Sequence, residues 1–128
     1  MKLVSKTVDD ILVVGLAEPG ALEAGNVEDF RKAMANILEN ARRVLLDLGN
    51  VTFLDSSGLG ALIAIWRKVS SNNGEIKICR IGPSVGTLFE ITRIHRILEL
   101  YDTEEEAVAS YEKLSDNRLR TSLQPSKN

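Results

Sequence analysis

The chain has 128 residues, 44% of them hydrophobic and 27% charged, which suits one globular domain and excludes a two-domain enzyme. Sixteen Lys and Arg against eighteen Asp and Glu leave a formal net charge of −2, so no surplus of positive charge is available for a nucleic-acid backbone. Cys79 has no cysteine to pair with, and His95, the single histidine, builds no metal cage alone, which excludes most zinc and thiol chemistry.

Met1 to Lys6 lead into a strand-like run instead of an apolar signal core, and no apolar stretch approaches the roughly 20 residues that cross a bilayer. A cytoplasmic protein without membrane insertion, metal or cofactor is expected. Aromatics make up 5% of the chain, so its core is built from Leu, Ile, Val and Ala, as suits helices packed on a sheet.

Lys2 to Val8 alternates polar and apolar residues, Asp9-Asp10 turns, and Ile11 to Leu16 is continuously apolar. That pattern predicts an edge hairpin whose second strand is covered on both faces. Pro19-Gly20 breaks the chain, and from Asn26, read as an N-cap, Val27, Phe30, Met34, Ile37 and Leu38 recur with helical spacing. Val44 to Leu48 reads as a second buried strand closed by Gly49-Asn50, and Val51 to Leu54 as a short extended segment.

After Asp55-Ser56-Ser57-Gly58-Leu59-Gly60, the residues Leu59, Leu62, Ile63, Trp66 and Val69 share one face of a helix that ends in Ser70 to Gly74. Glu75 to Ile81 reads as a strand, Gly82-Pro83 as a turn, and Ser84 as the cap of a helix bearing Val85, Leu88 and Phe89. A strand from Ile97 to Tyr101 precedes a last helix, with Thr103 as N-cap, Glu104 to Glu106 in its first turn, and Ala107, Val108, Tyr111 and Leu114 on one face. From Ser115 the periodicity stops, so a domain over 1–114 and a flexible tail over 115–128 are expected. Residues 1–114 hold thirteen basic and seventeen acidic groups, making the domain more acidic than the whole chain.

Strands alternating with helices imply right-handed crossovers. The fold class is α/β: a mixed, mostly parallel sheet of about five strands with about four helices packed against it.

The segment from Asp55 to Gly60 lies between a strand and a helix, at the end of the sheet where binding sites gather. It places two hydroxyls at a helix N-terminus, where backbone N–H groups and the macrodipole favour negative charge. Gly58 and Gly60 remove side chains beside those hydroxyls and would let a partner's backbone approach. A plainer reading makes one serine an N-cap, Asp55 an ordinary helix-entry acid, and the glycines turn and packing residues. The phosphate-binding spacing G-x-x-x-x-G-K-[ST] and the hydrolase pattern G-x-S-x-G are both absent. A Ser-His-Asp triad would need His95 to return beside Ser56 or Ser57. Cys79 reads as a small core residue, Trp66 and Phe89 as core, Gly82-Pro83-Ser84 as a turn and cap, and Arg93, His95 and Arg96 as a cationic helix end.

The stretch Val51-Thr52-Phe53-Leu54-Asp55-Ser56-Ser57-Gly58-Leu59-Gly60 resembles the signature of the STAS domain family, which includes bacterial anti-sigma factor antagonists. The flanking strands and the segment Tyr101 to Ala107 match the family's layout, so the resemblance spans about Met1 to Leu114. It implies a regulatory binding module and not an enzyme. In such antagonists the first serine after the aspartate, here Ser56 with Ser57 as second choice, is phosphorylated by an anti-sigma factor that is a GHKL-type serine kinase. The unmodified domain binds that kinase and frees the sigma factor; phosphorylation ends binding, and a PP2C-type phosphatase restores it.

The resemblance places the binding surface at Glu23, Asp55, Ser56, Ser57, Gly58, Leu59 and Gly60, on a monomer or weak dimer. One departure stands out: the family's G-x-L-D, whose aspartate lies near the phosphorylated serine, is here Gly20-Ala21-Leu22-Glu23. A STAS subunit of a lipid or solute transporter, or of a stressosome-like scaffold, is the alternative that the same resemblance allows.

Overall fold

A computed structural model describes residues 1–111 of the chain. Strands β1 (Leu3–Val8) and β2 (Ile11–Leu16) pair antiparallel with Val8 opposite Ile11, leaving only Asp9 and Asp10 to turn. Asp9 takes φ 56° there, a left-handed conformation that aspartate tolerates better than most residues. Then follow β3 (Gly20–Leu22), α1 (Val27–Leu38), β4 (Arg43–Asp47), β5 (Val51–Leu54) and α2 (Ser56–Ser71). The chain continues through β6 (Glu75–Cys79), α3 (Pro83–Thr92), a 3₁₀ turn (Ile94–Arg96), β7 (Glu99–Tyr101) and helix α4, which runs from 104 to the last described residue.

The main sheet has the order β1-β2-β4-β6-β7, parallel throughout except for the β1–β2 edge. The expected mixed, mostly parallel sheet is the observed one. Alternation along its strands sends Val14, Leu16, Val44, Leu46, Ile76 and Ile78 to one face, where Phe30 and Met34 of α1, Leu62 and Ile65 of α2 and Phe89 of α3 cover them. Each such side chain, fully buried, contributes about 1.5–3 kcal/mol. The opposite face carries Ile11, Val13, Leu45 and Cys79, and Ala107 and Tyr111 of α4 close over it. The continuous apolar run of β2 is explained by this double coverage.

Several local expectations need correction. Gly20, expected to break the chain with Pro19, instead opens β3, which pairs parallel with β5 as a second, two-stranded sheet. Asn26 is the N-cap residue of α1 as expected, though its side chain makes no capping hydrogen bond, whereas α3 is capped by Gly82 with Pro83 at the first helical position, so Ser84 lies inside that helix. Proline suits that place because its fixed φ is already helical and its missing N–H is not needed. β6 stops at Cys79, where Arg80 turns at φ 57°. β7 begins at Glu99, because Ile94–Arg96 is wound into the 3₁₀ turn that carries His95. Trp66 is only partly buried, whereas Cys79 and Phe89 lie in the core as expected.

At α4 the prediction holds. Thr103 Oγ1 accepts from the Glu106 N–H at 3.1 Å and donates to the Glu106 carboxylate at 3.2 Å, which makes Thr103 the N-cap. The expected apolar position Leu114 and the tail over 115–128 lie outside the described residues.

Candidate functional site

β3 and β5 run side by side, and both end where α2 begins. At that junction Asp55 is extended (φ −96°, ψ −174°), and its carbonyl accepts the first helical bond, from Leu59 N–H at 2.9 Å. Its side chain uses both oxygens on backbone: Oδ1 accepts from Gly58 N–H at 2.9 Å, and Oδ2 from Ala24 N–H at 3.0 Å. A third tie runs the other way, from Asp55 N–H to the Leu22 carbonyl at 3.3 Å. Asp55, and not a serine as the plainer reading had it, is therefore the N-cap, and it also fastens the loop after β3 to the helix start.

Those N–H groups, Gly58 foremost and Ala24 after it, hold the Asp55 carboxyl below its ordinary value against the opposing effect of burial. Asp55 is thus a fixed anion. Ser56 and Ser57 occupy the first two helical positions; Ser56 is exposed and Ser57 half-buried. The more accessible hydroxyl is the first one.

The two glycines differ. Gly58 is buried, and a Cβ there would lie 2.4 Å from the Leu22 carbonyl oxygen and 2.7 Å from Leu54 Cδ1. Gly58 therefore serves the internal fit of α2 against β3, not the approach of a partner. A Cβ at Gly60 would meet nothing within 4 Å, so only this glycine bares the surface near the serines. Leu59 is half-buried against the core.

Glu23 is exposed in the loop that Asp55 clamps, but the hydrogen bond across to Asp55 comes from the backbone of its neighbour Ala24. The structure thus brings Glu23, Asp55, Ser56 and Ser57 to one junction. Sequence reasoning missed Asn26 as a member of it. Asn26 Oδ1 accepts from Glu23 N–H at 3.0 Å and its Nδ2 donates to the Ala21 carbonyl at 2.8 Å, bracing the loop that presents Glu23 and Ala24. An asparagine just before a helix can hold the N-cap position and also bind its own preceding turn, and the second role is the signal for this brace.

Among the described residues no group of three or more His, Cys, Asp or Glu is placed to hold a metal ion, and no helix is long and apolar enough to cross a membrane. Burial pushes the Cys79 thiol up to about 12, as expected of a core residue.

Fold and junction together define a small α/β domain that offers an exposed serine at the start of a capped helix. A sequence profile of the STAS domain matches residues 2–107, and the chain belongs to that family. The anti-sigma F factor antagonist of Paenibacillus polymyxa is 28% identical over 107 residues, which cover 82% of this chain and 90% of that protein. An anti-sigma factor antagonist from Mycobacterium paratuberculosis has a crystal structure similar at a TM-score of 0.75 and 22% identity, over 85% of this chain and 92% of that one. Unphosphorylated SpoIIAA, also an anti-sigma factor antagonist, is similar at a TM-score of 0.69 and 23% identity, over 87% and 96% of the two chains. At these identities the two structures establish the fold.

Proposed function

We propose that the protein is an anti-sigma factor antagonist, a regulatory binding protein and not an enzyme, switched by phosphorylation of Ser56. The names of its relatives in Paenibacillus polymyxa and Staphylococcus aureus, antagonists of anti-sigma F and anti-sigma-B factors, support the partner class. One observation carries the switch: Ser56 is exposed at the first position of α2 while the neighbouring Asp55 is held ionised by two backbone N–H groups.

A phosphate on Ser56 adds about −1.5 to −2 charges beside that fixed carboxylate. In the free protein water screens the new charge and the helix N-terminus favours it, so the fold persists. In a partner interface the water is lost, and two adjacent anions oppose docking unless a basic group faces them. No refolding of the antagonist is needed. The kinase is the anti-sigma factor itself, of the GHKL type, and a PP2C-type phosphatase resets the serine.

Incubation with the cognate anti-sigma factor and ATP, followed by mass spectrometry, is expected to place one phosphate on Ser56 and to abolish the complex in a pull-down. Unmodified Ser56 and Ser57 with undiminished binding would overturn the switch. Recovery of a transporter ATPase or a large homologous assembly, with no anti-sigma factor, would replace the partner assignment.

A further inference from the structure

On the face of the main sheet opposite α1 and α2, the cover stops short. α4 closes over Ile11, Val13, Leu45 and Cys79 through Ala107 and Tyr111, but Glu104 is already its first residue. Beyond that turn, at the carboxyl ends of β2 and β4, the described residues leave the sheet open as a cleft of about 360 Å³. Val4 and Gly15 form its floor, and Lys6, Asp47, Arg80 and Glu104 stand around it. Gly15 keeps the floor bare, since a Cβ there would lie 2.7 Å from the Asp47 carbonyl oxygen.

The charges are arranged in two tiers. Lys6 Nζ lies 2.9 Å from Glu104 Oε2, and Arg80 Nε lies 3.5 Å from Asp47 Oδ1. In both pairs the carboxylate is recessed and the cation outermost: side-chain exposure is 22% for Glu104 and 19% for Asp47, against 59% for Lys6 and 54% for Arg80. Asp47 is further fixed by the Gly49 N–H at 2.8 Å, and the Arg80 side chain lies over Gly49, where a Cβ would strike its guanidinium. The Lys6 ammonium feels both Glu104 and Asp47, so the two carboxylates act on one region of the cleft. Ion pairs this exposed are weak and open readily to an incoming group.

We propose that this cleft binds a small zwitterion of the free amino acid class, its ammonium reaching the recessed carboxylates of Asp47 and Glu104 and its carboxylate the rim cations Lys6 and Arg80. A bare anion would face the two carboxylates, and a bare cation would leave the rim charges unanswered. The volume equals about twelve waters at liquid density, enough for an amino acid with its side chain. A ligand of about ten heavy atoms held by exposed charges binds with roughly millimolar affinity.

The test is a titration of the full ¹⁵N-labelled chain with glycine, L-glutamine and L-lysine, each compared with sodium acetate and methylammonium chloride. At least one amino acid should shift the amides of Gly15, Asp47 and Arg80 saturably, with acetate and methylammonium about tenfold weaker or more. Arg80→Gln and Glu104→Gln should each weaken binding about tenfold. Val4→Phe, which adds bulk to the cleft while keeping all four charged side chains, should abolish it even if a charge variant fails to fold. The proposal is overturned if none of the three amino acids gives a saturable shift, if acetate or methylammonium alone does as well, or if Val4→Phe binds normally. This titration reads the cleft alone and is independent of the switch at Ser56.

Discussion

At the scale of single residues, the junction between β3, β5 and α2 depends on a few atoms whose removal has opposite effects. Gly58 and Gly60 are two positions apart on one helix, yet a methyl group at 58 meets the Leu22 carbonyl while one at 60 meets open space. Gly58→Ala should therefore destabilise the fold by about 1–3 kcal/mol, and Gly60→Ala should stabilise it by about 0.5–1 kcal/mol through helix propensity. Urea denaturation of both variants checks the pair, and equal effects would show that the α2–β3 contact is not as close as described. If Gly60 faces the partner, the same stabilising variant weakens the complex.

Asp55 makes a pH-dependent contribution. Its folded carboxyl titrates below the ordinary value of 3.8, so the stabilisation is fully present above that value and is lost as pH falls through the folded one. The urea midpoint of the wild type should fall more steeply than that of Asp55→Asn on acidification below about pH 4. A parallel decline in the two proteins would contradict the clamp.

At the scale of elements, α4 is fastened to the sheet by more than its apolar face. Tyr111 Oη donates to the Val44 carbonyl at 2.7 Å, and burial pushes its phenol well above the usual range. Beneath it Lys77, only 3% exposed, bonds to Ser110 Oγ and lies against the rings of Tyr101 and Tyr111 at 5.6 and 4.3 Å from their centroids. Tyr111→Phe keeps the packing but removes this buried hydrogen bond to a strand carbonyl, and should cost about 0.5–1.5 kcal/mol in chemical denaturation.

α3 ends with Arg93 at φ 56°, a position that glycine occupies without strain, and Arg93 N–H donates back to the Glu90 carbonyl at 3.3 Å. Arg93→Gly should raise stability by up to about 1 kcal/mol, readable as a higher melting temperature. Elements of this length explain which predictions succeeded. α1, α2 and α4 each carry several apolar residues at helical spacing, whereas β3 has three residues beside a Pro-Gly break and no period to detect. Its partner strand β5, not its own pattern, makes it a strand.

At the scale of the molecule, the chain carries a formal charge of −2 and the proposed modification would roughly double it. The new charge falls beside Asp55 on a surface that also presents Glu23. Ser56→Asp should weaken the complex with the anti-sigma factor at least about tenfold, measured by calorimetry, while Ser56→Ala should bind normally and resist release by ATP. Equal affinities for the two variants would remove charge as the basis of the switch.

The fold class, the two-sided burial of β2 and the serine-bearing helix start were all legible in the sequence, because each is written in residues that are neighbours or lie one helical turn apart. The Asp55 clamp on Ala24, the bracing by Asn26, the inward role of Gly58 and the charged cleft beside α4 join segments that are distant in the chain or turn on where a backbone carbonyl comes to rest. Only tertiary packing decides those. Local periodicity sets which face of an element is apolar, but the meeting of two segments 31 residues apart, as at Ala24 and Asp55, depends on the register of strands that neither segment encodes alone.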